Sequence, residues 1–348
     1  MSFKWAFSVA VAAMLPLSNF AFAEGYEPAT TEAEILPKAS SSLLTDITTT
    51  GMGAVAIGER GHILVSSNLN TWRQVAAPTR SLLTNVFAID SDVWAVGHEE
   101  VILHSTDGGN TWIRQHADPT AFGPLLDIFF FDSKRGFAVG AEGIYFTTED
   151  SGTTWKKQSI TDLTEAPALV AASSEEVAGS LASSDLGMDE TPPHLNAIVR
   201  SSLGLMIVGE SGAIFRSTDE GASWTRLELN YNGSMFGAIV LDDNSVIVYG
   251  LNGHAFQTKD LGTTWEALVT NTDASLMGGV AVPGARAVLV GARGAVLTKD
   301  PSSSALKAFN YSDGGALAGV LLRGEKEFVV VGENGVSVYE PKAVTSGK

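Results

Sequence analysis

The chain contains no cysteine among its 348 residues. That absence excludes disulfides, thiolate metal sites and lipid attachment at a cysteine, so the folded state must rest on its core. Positive charge is also scarce: 22 Lys and Arg stand against 39 Asp and Glu, a formal charge of -17. A broad surface for nucleic acid or an anionic membrane needs the opposite sign, so neither is an expected partner. Charged residues make up 18% of the chain and hydrophobic ones 45%, ample for one large β domain or two smaller ones. Beyond the N-terminal segment, no run approaches the roughly 18 apolar residues of a membrane-crossing helix.

Several catalytic words are missing too. The six histidines (62, 98, 104, 116, 194 and 254) form no H-E-x-x-H site and no compelling metal-ligand spacing. No G-x-S-x-G nucleophile elbow occurs. Catalytic, cofactor-binding and metal-binding residues are therefore all expected to be absent.

What is present begins with "MSFKWAFSVAVAAMLPLSNFAFAEG". Lys4, an apolar run and the small residues of Ala21-Phe22-Ala23 read as a secretory signal over 1–23, cleaved before Glu24. The expected location is the periplasm or another extracytoplasmic space, with no stable transmembrane segment after cleavage.

The remaining chain is repetitive. An apolar run ending in glycine recurs as "AVAIGERG", "VWAVGHEE", "GFAVGAEG", "LMIVGESG", "VIVYGLNG", "AVLVGARG" and "FVVVGENG". The first glycines are Gly58, Gly97, Gly140, Gly209, Gly250, Gly291 and Gly332, separated by 39, 43, 69, 41, 41 and 41 residues. Each copy has an early apolar strand, a second strand ending at the glycine, a G-x-x-G turn, a third strand and a fourth. Glycines at fixed turn positions most simply supply backbone angles that bulkier residues resist. Four short antiparallel strands in about 41 residues predict an all-β, seven-bladed β-propeller with four-stranded antiparallel blades over 24–341. Residues 342–348 form a C-terminal tail. The last copy shows only three strands, and "EAEILP" at 32–37 could supply the missing outer one.

A second word, [ST]-x-D-x-G-x-x-W, precedes the fourth strand. It is held by Asp107, Gly109 and Trp112, then by Asp150, Gly152 and Trp155. Asp219, Gly221 and Trp224 repeat it, as do Asp260, Gly262 and Trp265. An aspartate accepting backbone N–H bonds, a turn glycine and a packing tryptophan make a structural loop. Catalysis gives no reason to place one arrangement in several blades.

These words match the Asp-box, or BNR repeat, found in sialidases and many noncatalytic propellers. With the upstream V-G-x-x-G turn, as in "AVGHEEVILHSTDGGNTW" and "IVGESGAIFRSTDEGASW", the chain resembles the photosystem II stability and assembly factor family over about 43 to 341. It looks most like that family's nonphotosynthetic bacterial relatives. The resemblance implies a seven-bladed propeller that binds proteins and aids assembly of a membrane complex. Photosynthetic members use an arginine-rich surface. Here turn arginines are limited to Arg60 and Arg293, so that surface does not carry over. Sialidases use three arginines for the substrate carboxylate, whereas arginines here are scattered and the Arg-Ile-Pro word is absent.

The 69-residue spacing holds an acidic insertion at 159–193, with Glu175, Glu176, Asp185, Asp189 and Glu190 among its acids and no Lys or Arg. Topology places it on the face of the G-x-x-G turns, which carry Glu59, His98, Glu99, Glu100, Glu142, Glu210 and Glu333. These residues predict an acidic rim with an acidic flap. Three readings remain: a solvated surface, a dock for a basic segment of a protein partner, or a weak divalent-cation site. The leading function is an extracytoplasmic protein-binding scaffold or assembly factor for an envelope membrane complex or exporter. The alternative is a glycan-binding protein or glycoside hydrolase of Asp-box propeller type.

Overall fold

The computed structural model describes residues 27–121, 123–164, 191–324 and 327–341. The segment read as a signal, most of the acidic insertion and the 342–348 tail lie outside them. Six four-stranded antiparallel sheets span 44–75, 83–116, 125–159, 195–227, 235–267 and 276–310, and a three-stranded sheet spans 317–339. Strands follow one another in sequence order within every sheet. Among the described residues no helix is long and apolar enough to cross a membrane.

The second strand of each blade explains the apolar runs. Residues 54–58, 93–97, 205–209 and 246–250 are buried without alternation. Both faces of these strands meet a neighbouring blade, so no position is left for a polar side chain. Among the described residues seven buried clusters result, one for each seam between adjacent blades. The cluster joining Leu44, Ile47 and Ala56 of blade one to Leu321, Val329 and Val331 of blade seven closes the ring.

The first turn glycine is required for a reason other than backbone angle. Its φ is -177° at Gly58 and -169° at Gly140, extended backbone that any residue adopts. A Cβ there would stand 2.1 Å from the Leu43 carbonyl oxygen, and at Gly140 2.3 Å from that of Pro124. The same close approach recurs in all seven blades, between 2.0 and 2.3 Å. The following residue donates its N–H to that carbonyl, as Glu59 does to Leu43 at 3.1 Å. This packing locks the turn onto the head of the inner strand. The second glycine does adopt the left-handed region, with φ of 68° at Gly61.

The seventh sheet has three strands, and 32–37 do not form its fourth. The N-terminal segment runs instead beside the outer strand of blade one. Ala33 N–H donates to Ala77 O at 2.9 Å, Leu36 N–H to Gln74 Oε1 at 2.7 Å, and Gln74 Nε2 to Glu34 O at 2.8 Å. Ser40 then packs against Gly335 of blade seven, its carbonyl 2.1 Å from where a Cβ would stand. The segment thus straddles the closing seam without adding a strand.

Candidate functional site

The Asp-box is built on one plan in four blades. In blade two, Asp107 Oδ1 accepts the N–H groups of Asn110 and Thr111 at 3.0 and 2.8 Å, and Oδ2 accepts the Thr111 hydroxyl at 2.7 Å. Ser105 Oγ donates to the same carboxylate and accepts the Gly109 N–H at 2.9 Å. Asp150, Asp219 and Asp260 repeat the bonds from the hydroxyl two residues before and from the N–H and hydroxyl four residues on, while the N–H three residues on goes instead to the aspartate's own carbonyl. Their loops hold these carboxylates below the usual Asp range; for Asp219, led by the Ser223 hydroxyl, the pKa falls to about 2. Both oxygens of each carboxylate accept bonds from within its own loop, which suits a structural role. In blade one Asn68 takes the aspartate's place, its Oδ1 accepting the N–H groups of Asn70 and Thr71.

The tryptophans are wedges between blades. Trp112 joins the cluster of Val55 and Val65 in blade one, Trp155 packs on that of Trp94 and Ile102, Trp224 joins Phe137 and Tyr145, and Trp265 packs against Met206 and Val208. Each fills a hole in the preceding blade. Gly109, Gly152, Gly221 and Gly262 are left-handed, with φ between 82° and 89°.

On the opposite face the G-x-x-G turns bring Glu59, Glu99, Glu142, Glu210 and Glu333 to one rim. Glu142 and Glu333 are exposed, while Glu59, His98, Glu99 and Glu210 are half-buried. Glu210 Oε1 accepts the His194 N–H at 3.1 Å, and Glu333 Oε2 that of Ala316 at 3.2 Å. The left-handed second position of the turn carries Arg60, Glu99, Glu142, Ser211, Asn252 and Arg293, so the acidity is concentrated in blades two and three.

Glu100 does not belong to that rim. It replaces the second turn glycine, takes φ of 49°, and is 1% exposed. Its Oε1 accepts Lys157 Nζ at 2.5 Å, and Oε2 stands 3.6 Å from His116 Nε2. Burial alone would raise its pKa, but the nearby His116 ring and the hydrogen-bonded, charged Lys157 hold it below the ordinary value. The side chain ties blade two to blade three and is not free for a partner.

The insertion leaves and returns at different places. Ser159 caps a short helix, Ile160–Leu163, after which Thr164 bridges to Trp224 at the outer strand of blade four. The returning chain meets the G-x-x-G face, where Gly143 N–H donates to Pro193 O at 3.0 Å. Glu175, Glu176, Asp185, Asp189 and Glu190 lie outside the described residues.

Repeat-based reading overlooked the central channel, a cavity of about 400 Å³ lined by all seven inner strands. Each inner strand is bulged near its start. The residue after the bulge is Asp46, Asn85, Asp127, Ala197, Gly237, Gly278 or Gly319. In the first three blades it reaches to the next blade. Asp46 Oδ2 accepts Val86 N–H at 2.9 Å, Asn85 Oδ1 accepts Ile128 N–H at 3.4 Å, and Asp127 Oδ2 accepts Ile198 N–H at 2.7 Å. The preceding residue adds a second latch: Thr45 and Thr84 hydroxyls donate to Leu83 O and Leu125 O at 2.7 and 2.6 Å. Burial pushes the Asp46 carboxyl up to about 7 and that of Asp127 to about 8, against the pull of these N–H groups. Across the channel Tyr249 occupies the space that Gly237 and Gly279 leave open, its burial also raising its pKa. Aligning the inner strands "LTDI", "LTNV", "LLDI" and "LNAI" by their bulge would have exposed this set. Among the described residues no three His, Asp or Glu side chains converge on a metal-sized site.

Solved structures share this architecture. YCF48 bound to a D1 peptide is 16% identical, with 89% of this chain and 94% of that chain covered and a TM-score of 0.62. YCF48 from Cyanidioschyzon merolae is also 16% identical, over 89% and 99%, with a TM-score of 0.63. Virginiamycin B lyase from Staphylococcus aureus is 11% identical, over 88% and 97%, with a TM-score of 0.67. At these identities the likeness shows the fold, which serves enzymes and binding proteins alike. No curated protein matches the chain. The profile of photosynthesis system II assembly factor YCF48 matches residues 64–179 and 123–331, spanning most of the propeller. With its Asp-box blades and G-x-x-G turns, the chain belongs to the YCF48 family of BNR-repeat propellers.

Proposed function

We propose that this chain is an exported, nonphotosynthetic member of the family, acting as a protein-binding scaffold or assembly factor for an envelope membrane complex. The observation that carries the reading is the rim of Glu59, Glu99, Glu142, Glu210 and Glu333 on one propeller face. The turns that carry these residues are each held by a backbone bond from the residue after the first glycine to the head of the inner strand, so little backbone freedom is lost on binding. The partner segment would be rich in Lys or Arg, complementing the sign of the rim. The acidic insertion, returning beside Gly143, would extend the same surface. A family relative with a bound D1 peptide supports a polypeptide as the ligand class. The chemistry is docking, with no covalent step. Affinity capture from the native cell envelope tests this: the wild type should retain a membrane protein that Glu59→Gln/Glu142→Gln/Glu333→Gln loses. Equal capture by both would overturn the reading.

One observation favours the glycan alternative. The central channel holds Asp46, Asp127 and Arg200 beside Phe87, Phe129 and Phe236. Both carboxyls are engaged by neighbouring N–H groups, however, which suits latches better than an acid–base pair. Turnover in a glycan hydrolysis screen that Asp127→Asn abolishes would establish that alternative.

A further inference from the structure

Every residue lining the central channel belongs to an inner strand except Tyr249, which reaches it from the second strand of blade five. Its side chain is 4% exposed, and its hydroxyl makes no hydrogen bond within the described residues. Two glycines make room for it: a Cβ at Gly237 would stand 2.5 Å from the hydroxyl, and one at Gly279 3.1 Å from the ring. Leaving a buried hydroxyl unpaired is costly, so its placement points to a partner that enters the channel.

The hydroxyl shares the channel with two acids. Burial leads in raising the Tyr249 pKa, and the Asp46 and Asp127 charges raise it further, so both lie within electrostatic reach. Asp46 acts in the same sense on Asp127. Their latches do not exhaust either carboxylate. Asp46 Oδ2 holds the Val86 N–H, while Asp127 holds the Ile128 N–H on Oδ1 at 2.8 Å and that of Ile198 on Oδ2. An ionised carboxylate has about four acceptor sites, which leaves some free on each. Arg200 is the one cation lining the channel, and its guanidinium lies over the Phe131 ring at 4.9 Å. Asp46, Asp127, Tyr249 and Arg200 are the titratable and charged groups of the wall. Beside the acids stands an apolar collar of Leu126, Phe236 and Met277, each directly before the bulge residue of its strand. The collar is at the head of the inner strands, the end to which the G-x-x-G turns are locked.

We propose that the channel binds an alkylammonium group, either a free aliphatic amine or a lysine side chain, through Asp46, Asp127 and the Tyr249 oxygen. An ammonium brings three N–H donors and the charge that two carboxylates lack. Its alkyl stem lies in the collar, for which a bare metal ion would have no use. The channel volume of about 400 Å³ admits such a group together with water. Burial keeps the Asp46 carboxyl protonated up to about 7 and that of Asp127 up to about 8. The cation displaces those protons, so affinity grows as pH rises through this range, while the amine stays charged to about pH 10. The site is made of groups inside the channel and does not rest on docking at the acidic rim.

The test is a calorimetric titration of the intact protein with n-butylammonium at constant ionic strength. Saturable binding is expected at pH 8.5 with a Kd on the order of 1 mM, weaker by about tenfold or more at pH 6. The neutral n-butanol should not bind. Asp127→Asn keeps the latch oxygen and should weaken binding about tenfold, leaving the pH dependence of Asp46 alone. Tyr249→Phe should weaken it about threefold. Binding of Nα-acetyl-lysine N-methylamide with similar strength would assign the site to lysine side chains of a polypeptide; its failure would assign it to free amines. The proposal is overturned if n-butylammonium shows no saturable binding at pH 8.5, if n-butanol matches it, or if Asp127→Asn binds as tightly as the wild type.

Discussion

Asp127→Asn should stabilise this protein, and increasingly so as the pH rises. Asp127 is 9% exposed and accepts the Ile198 N–H of the next blade at 2.7 Å. Burial pushes its folded pKa from 3.8 up to about 8, so the folded state holds a proton that the unfolded chain releases. The favourable contribution is complete below pH 3.8 and is lost as pH rises through 8. Each unit of difference is worth about 1.4 kcal/mol, giving a loss on the order of 3 kcal/mol between pH 5.5 and pH 8. Asparagine keeps an oxygen for the Ile198 N–H and carries no charge; Asn85 already fills the equivalent place in blade two, facing Ile128. Urea denaturation of wild type and variant at both pH values measures the difference. The stability gap should widen in the variant's favour by about 3 kcal/mol from pH 5.5 to pH 8. A constant gap, or a variant weaker at pH 8, would refute the assignment of a protonated latch.

Other perturbations probe the repeat machinery. Trp224→Ala empties a wedge that is 0% exposed and meets Tyr145 edge-on at 5.9 Å, and should cost about 3–5 kcal/mol in chemical denaturation. Gly97→Ala places a Cβ 2.2 Å from the Leu82 carbonyl oxygen, so the melting temperature should fall by several degrees although the φ suits alanine. Lys157→Met leaves Glu100 buried without its strongest partner; denaturation should show a loss of about 2 kcal/mol, much of it recovered by adding Glu100→Gly.

Much of the fold was legible because blade geometry repeats: glycine spacing, buried second strands and the Asp-box all follow from one unit copied around a ring. That blade seven shows three strands among the described residues was legible as well. The route of 32–37 was not, because a short mixed segment carries no period that distinguishes pairing with blade seven from lying beside blade one. The first turn glycine was assigned to backbone angle, whereas a carbonyl packed against it is a tertiary contact that sequence spacing cannot show. Glu100 appeared to be one more rim acid; only the position of Lys157, 57 residues away in sequence, reveals it as buried. The channel latches were hidden by their variety, since aspartate, asparagine, alanine and glycine share one position and repeat averaging discards such differences.

The docking account is tested most directly by photo-crosslinking from two exposed sites on opposite faces: Glu142 in a G-x-x-G turn and Thr153 in an Asp-box loop. With a crosslinking residue at each position in turn, expressed in the native cell envelope, adducts to a membrane protein should form from 142 and disappear at high salt. Adducts from 153 alone, or none from 142, would contradict the claim that this chain works through its acidic face.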